Sequence, residues 1–118
     1  MDTRNKIISP ETALRLDRQR LVVAAGAFDV LQAAHARFLE TLRPPDGELL
    51  VAVWNDASLS QPILPEQARA QLVAALRSVN YVVIAGRGGE LETLVKWPVP
   101  EDRNIIDVVL QRAAEERR

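Results

Sequence analysis

Cysteine is absent from the 118 residues, which excludes disulfides, thiolate nucleophiles and thiolate metal sites together. A single histidine leaves no histidine-rich metal centre, so no resident metal is expected. Aromatic residues are scarce at 4 %, and a core must therefore be assembled from Ala, Val, Leu and Ile. An excess of one charge is also missing. Fifteen basic side chains against sixteen acidic ones give a net charge of −1, which implies no basic face for nucleic acid or an anionic membrane. No apolar run reaches the ~18 residues that would suggest a membrane span. The opening MDTRNKIISPETALRL lacks the apolar centre of a signal peptide. The expectation is a soluble, cytoplasmic protein with neither nucleic acid nor membrane as partner.

What is present suits one packed domain over residues 1–118: 47 % apolar and 26 % charged, with no repeat or linker. Ser9 followed by Pro10 predicts a capped helix over about 10–18. RLVVAAG, ELLVAVW and NYVVIAG are continuous apolar runs, predicting strands at 20–25, 48–54 and 80–85 that are buried on both faces of a parallel sheet. Between them lie two helical segments. In 33–43, His35, Phe38, Leu39 and Leu42 share one face; in 66–78, opened by Pro65, the inner stripe reads Ala68, Leu72, Ala75, Leu76 and Val79. ELETLVKW reads as a helix or as a lead into a short strand near 95–99, where Pro98 and Pro100 suit only a sheet edge. A last helix from about Arg103 completes the chain. Strands alternating with helices predict an α/β, Rossmann-like three-layer domain with a small, trimmed parallel sheet.

In such sheets ligands bind beyond the carboxyl ends of the strands. Three segments converge there: Gly26 to His35, Trp54 to Ser60, and Ala85 to Gly89. GRGG is no P-loop, since no Gly-Lys-Ser/Thr follows, and by itself it reads as a mobile glycine loop. Taken in order, however, the blocks AAGAFDVLQAAH, LVAVWNDASL, PEQARAQLVAALRSVNYVVI and RNIIDVV resemble the cytidylyltransferase-like nucleotidyltransferases, in particular the branch of ADP-heptose synthases and glycerol-3-phosphate cytidylyltransferases. The resemblance covers roughly residues 6 to 112. Gly26, Phe28, Asp29 and His35 match the first loop, Gly-x-Phe-Asp-x-x-His-x-Gly-His. Asp56 falls in the Asp-Ala-Ser turn, Arg69 at the arginine of Pro-Glu-x-x-Arg, and Asn104 at the start of the last helix.

The resemblance implies transfer of a nucleotidyl group from CTP or ATP to a sugar phosphate with the assistance of Mg²⁺. Imidazoles and helix N–H groups would neutralise the charge that develops as pyrophosphate leaves. Four departures bear on that chemistry. Gln32 stands at the first histidine position, and Ala34 replaces the glycine between the histidines. The loop after Ser58 is shortened and has no lysine. Glu101-Asp102-Arg103 puts two carboxylates where the family has Ser-Thr-Thr. Trp54, at a strand end, is placed to fill part of the pocket. Each lost charge-stabilising donor typically costs about 10²–10³ in rate.

The residues themselves leave alternatives open. His35 is a core-facing neutral histidine or a residual ligand contact. Asp29 binds backbone N–H groups or ligand, and Arg69 forms a surface ion pair or meets phosphate. Asp56 and Ser58 form a turn or touch ligand, and Asn104 caps a helix or does the same. The expected function is a degenerate nucleotidyltransferase-fold protein that binds a nucleotide, a sugar phosphate or a protein partner without turnover. The alternatives are an active transferase and a structural homodimer.

Overall fold

The computed structural model describes residues 3–99. After a short 3-10 turn the elements run β1 (Ile7–Ile8), α1 (Pro10–Leu14), β2 (Leu21–Gly26), α2 (Ala33–Leu42), β3 (Glu48–Trp54), α3 (Glu66–Ala74), β4 (Tyr81–Ala85), α4 (Glu90–Thr93) and β5 (Trp97–Pro98). The five strands form one sheet in the order β1-β4-β3-β2-β5, every pair parallel. The three strands expected from apolar runs are adjacent, with Ala24 opposite Val51 and Val51 opposite Val82. The last helix expected from Arg103, and Asn104 with it, lie outside the described residues.

Side chains alternate along β3 and divide the core in two. Leu49, Val51 and Val53 pack with Leu39 of α2 and with Ala70, Val73 and Ala74 of α3. Leu50, Ala52 and Trp54 pack on the other face with Ala13 of α1 and Leu91 of α4. Helices therefore cover both faces, which is why the strands read as unbroken apolar runs. The chain is an α/β, Rossmann-like nucleotidyltransferase fold with a small parallel sheet.

Local chemistry sets the element boundaries. Ser9 caps α1 by accepting from Thr12 N–H at 3.2 Å. The helix stops at Leu14 rather than near residue 18. Asp17 Oδ1 accepts from Gln19 N–H at 3.0 Å, a turn that redirects the chain into β2. α3 likewise ends at Ala74, short of 78. Asn80 then ties the chain to the start of β3, with Leu49 N–H donating to its Oδ1 at 2.9 Å and its own N–H donating to Leu49 O at 3.0 Å. Segment 90–100 supplies both elements the sequence offered, the short α4 and then β5. Pro98 lies in β5 on the outer edge beside β2, where its missing N–H breaks no ladder.

The buried face of α3 differs from the expected one. Arg69, Ala70, Val73 and Ala74 point inward, while Leu72 and Ala75 are exposed. The inner stripe was obscured because, Val73 apart, its members are alanines and an arginine. Larger apolar side chains stand on the neighbouring face.

Candidate functional site

An open cleft of about 1250 Å³ lies at the carboxyl edge of the sheet, lined from the ends of β2, β3 and β5, the start of α2, and the loops after β3 and β4. The segments singled out in the sequence do meet here. Gly26 ends β2, and a Cβ there would come within 3.2 Å of the Phe28 ring and of Val99 Cβ. The absent side chain lets the loop fold back so that Phe28 is 2 % exposed. Phe28 takes φ +51, a left-handed conformation that a bulky residue adopts only under external constraint.

The constraint is visible on both sides of Phe28. Ala27 O accepts from Arg69 Nη1 at 2.9 Å. Asp29 accepts from Ile63 N–H at 2.7 Å through Oδ2 and from Leu64 N–H at 2.9 Å through Oδ1. Asp29 thus latches the first loop to the loop before α3.

Gln32 is the N-cap of α2, and its N–H donates to His35 Nδ1 at 2.9 Å. His35 therefore does at the third helical position what a glutamate does in a capping box. It is 1 % exposed, meets the Phe28 ring edge-on at 5.6 Å, and also lines the cleft. Because Nδ1 accepts, the ring proton is assigned to Nε2, the neutral tautomer. The core-facing position and the cleft position coincide in this one residue.

Arg69 is not the surface residue its helix position suggested. It is wholly buried: Nε donates to Leu64 O at 2.9 Å, Nη1 to Ala27 O at 2.9 Å and Trp54 O at 2.6 Å, and Nη2 to Asp56 Oδ1 at 2.7 Å. The expected ion pair with an acid exists, but beneath the ends of β2 and β3, and neither Arg69 nor Asp56 is among the residues that line the cleft. There a planar fork of donors joins the ends of β2 and β3 to the two turns that follow β3. Asn55 makes the Asp56–Ser58 turn by accepting from Ser58 N–H at 3.0 Å and from its hydroxyl at 2.7 Å. That leaves Asp56 for Arg69.

The loop after β4 is pinned rather than loose. Arg87 N–H donates to Ser58 Oγ at 3.0 Å, and its guanidinium stands 4.8 Å above the Trp54 ring. Its Nε meets Glu92 Oε2 at 3.1 Å, while Gly88 N–H donates to Oε1 at 2.6 Å. The Gly88 N–H, opposed by partial burial and aided by the Arg87 charge, holds the Glu92 carboxyl below its usual value. Sequence reasoning flagged Trp54 as a pocket filler but missed Arg87 and Glu92. Their available signal was an arginine two residues beyond a strand end and an acid five residues later.

Among the described residues no group of three histidine or acidic side chains gathers to hold a metal. The two carboxylates of the cleft are each already bonded to protein donors. These residues do not form a fitted Mg²⁺ site.

A parallel sheet with a glycine loop, a helix start and a cleft at its carboxyl edge is the ligand-binding arrangement of Rossmann-like α/β domains. Residues 23–100 match the family model described as cytidylyltransferase-like, and the chain belongs to that family. Among known proteins it is similar to the bifunctional protein HldE of Helicobacter pylori, 37 % identical over 89 residues, covering 70 % of this chain and 19 % of that protein. It is also similar to the FAD synthase of Pyrococcus horikoshii, 38 % identical over 91 residues, covering 72 % of this chain and 61 % of that protein. The chain thus spans about a fifth of the first relative's length and about three-fifths of the second's. A solved structure, the lipopolysaccharide core biosynthesis protein from Thermoplasma volcanium, superposes with a TM-score of 0.56 at 28 % identity, covering 62 % of this chain and 63 % of that one.

Proposed function

We propose that this chain is a degenerate member of its family, holding a phosphorylated ligand (a nucleotide or a sugar phosphate) in the cleft without efficient turnover. The charge of the cleft carries the reading. Among the described lining residues Arg87 is the one cation, set against the carboxylates of Asp29 and Glu92. Arg69, the nearest further cation, spends its donors on three carbonyls and Asp56. Departure of pyrophosphate from a triphosphate needs several preorganised positive groups, each typically worth about 10²–10³ in rate. Gln32 supplies an amide where the family's first motif has an imidazole. A ligand bearing a single phosphate asks less of the same cleft.

One observation favours the second reading, an active transferase moving a nucleotidyl group from CTP or ATP onto a sugar phosphate. His35, at the second histidine position of the family's first motif, is held by the Gln32 N–H and lines the cleft. The two readings separate in one pair of measurements with CTP or ATP, Mg²⁺ and a panel of sugar phosphates. The expected result is calorimetric binding of at least one phosphorylated ligand, with no pyrophosphate released above a control lacking protein. Multiple turnover that disappears in His35→Ala would establish the active transferase instead.

A further inference from the structure

The loop after β4 is built in a way that its charge alone does not explain. Arg87 is fixed at its backbone by Ser58 Oγ and at its guanidinium by the Trp54 ring beneath it. Gly88 follows at φ +85, with nothing within 4 Å of where a Cβ would stand. In this conformation, which favours glycine, its N–H points at Glu92 Oε1. Arg87 Nε and Gly88 N–H then converge on one carboxylate, one donor to each oxygen of Glu92. A charged side-chain donor beside a backbone N–H is a common grip for a small anion. Arg87, Glu92, Ser58 and Trp54 all line the cleft.

We propose that Arg87 and the Gly88 N–H form an anion subsite at the cleft mouth for the phosphate of a phosphate monoester, with Glu92 seated in it as a built-in competitor. The inference rests on the reading that the cleft takes a phosphorylated ligand, and it names the atoms that receive it. A monoester phosphate brings about −1.5 to −2 charge and three acceptor oxygens, against one charge and two oxygens on the carboxylate. It therefore displaces Glu92 where a neutral sugar or nucleoside does not. Cytidine 5′-monophosphate and ribose 5-phosphate share this chemistry, and their relative affinities tell a nucleotide source from a sugar source.

Calorimetric titration with inorganic phosphate, ribose 5-phosphate, cytidine 5′-monophosphate and cytidine tests the proposal at fixed ionic strength. Glu92→Gln should tighten the phosphate-bearing probes by roughly five- to tenfold, a common size for coupling between competing groups, and leave cytidine unchanged. Arg87→Gln should weaken them by a similar factor, and Arg87→Lys should fall between. Thermal melts of each variant confirm that the fold persists. Binding of cytidine 5′-monophosphate that is indifferent to both positions overturns the subsite while leaving the cleft reading intact. If no probe binds to any folded variant, both fall.

Discussion

Arg69 shows how much of this cleft depends on a side chain that is not among those lining it. Its guanidinium holds the carbonyls of Ala27, Trp54 and Leu64 and one oxygen of Asp56. Ala27 lies 42 positions from Arg69, Trp54 and Asp56 lie 15 and 13, and Leu64 lies 5. Arg69→Ala would strand the buried Trp54 carbonyl and the part-buried carbonyls of Ala27 and Leu64, at about 1–3 kcal/mol for a group left fully unsatisfied and less where water reaches it. Asp56 is 42 % exposed, so water screens its share of the loss. The expected destabilisation is about 3 kcal/mol, read as a lower denaturant midpoint at unchanged slope. Arg69→Lys should recover little, because one ammonium cannot reproduce the fork. A loss below about 1 kcal/mol for Arg69→Ala would show that the strap is dispensable. The sequence hid this residue behind its charge: arginines are usually exposed, and nothing in PEQARAQL announces three carbonyls arriving from elsewhere. Gly26, Phe28, Asp29 and His35 were legible because they sit together in one loop. The Arg87–Glu92 pair is local, but the ring of Trp54 that stands beneath Arg87 lies more than thirty positions earlier and left no local pattern.

At the scale of elements, long apolar runs were the readable part. β2, β3 and β4 announce themselves because both faces are buried. β1 consists of two isoleucines, too short for any periodicity to register. The face of α3 was misplaced because Ala70 and Ala74 bury little area and so leave a weak stripe. The pairing of β3 with β4 carries a pH signature of its own. The nearby Glu48 carboxylate, by hydrogen bonding first and with lesser help from burial and from its charge, raises the Tyr81 phenol above its ordinary value of 10.0. Folding holds the proton more tightly than the unfolded chain does. The contribution is therefore complete below pH 10, falls as the unfolded phenol ionises, and is gone above the raised folded value. Tyr81 is the chain's sole tyrosine, so tyrosinate absorbance reports it alone. Glu48→Gln should bring the titration midpoint down toward the ordinary value. An unchanged midpoint would remove Glu48 as the cause.

For the whole molecule, the issue is whether one thin sheet with two separate cores behaves as one cooperative unit. Leu49 and Leu50 are consecutive, both wholly buried, and belong to opposite faces. Among the described residues the Leu49 face is covered by the longer helices α2 and α3, the Leu50 face by the short α1 and α4. Unequal cover would let the second face loosen first if the sheet did not bind the two together. The shared strands argue against that. Every residue of β3 lends its backbone to the same ladder, so losing one face removes the support of the other. Either leucine changed to alanine should cost about 2–5 kcal/mol, a fall of roughly 10 °C or more for a domain near this size. Trp54 lies in the Leu50 face, and α2 and α3 are the longest helices among the described residues, so they weight the far-ultraviolet circular dichroism toward the Leu49 face. In a Trp97→Phe background its fluorescence therefore follows one face while dichroism weights the other. Coincident melting of the two signals in both leucine variants is the expected outcome. If Leu50→Ala moved the Trp54 transition ahead of the dichroism, the two faces would be separate units, and the cleft floor at Trp54 could open without unfolding the rest.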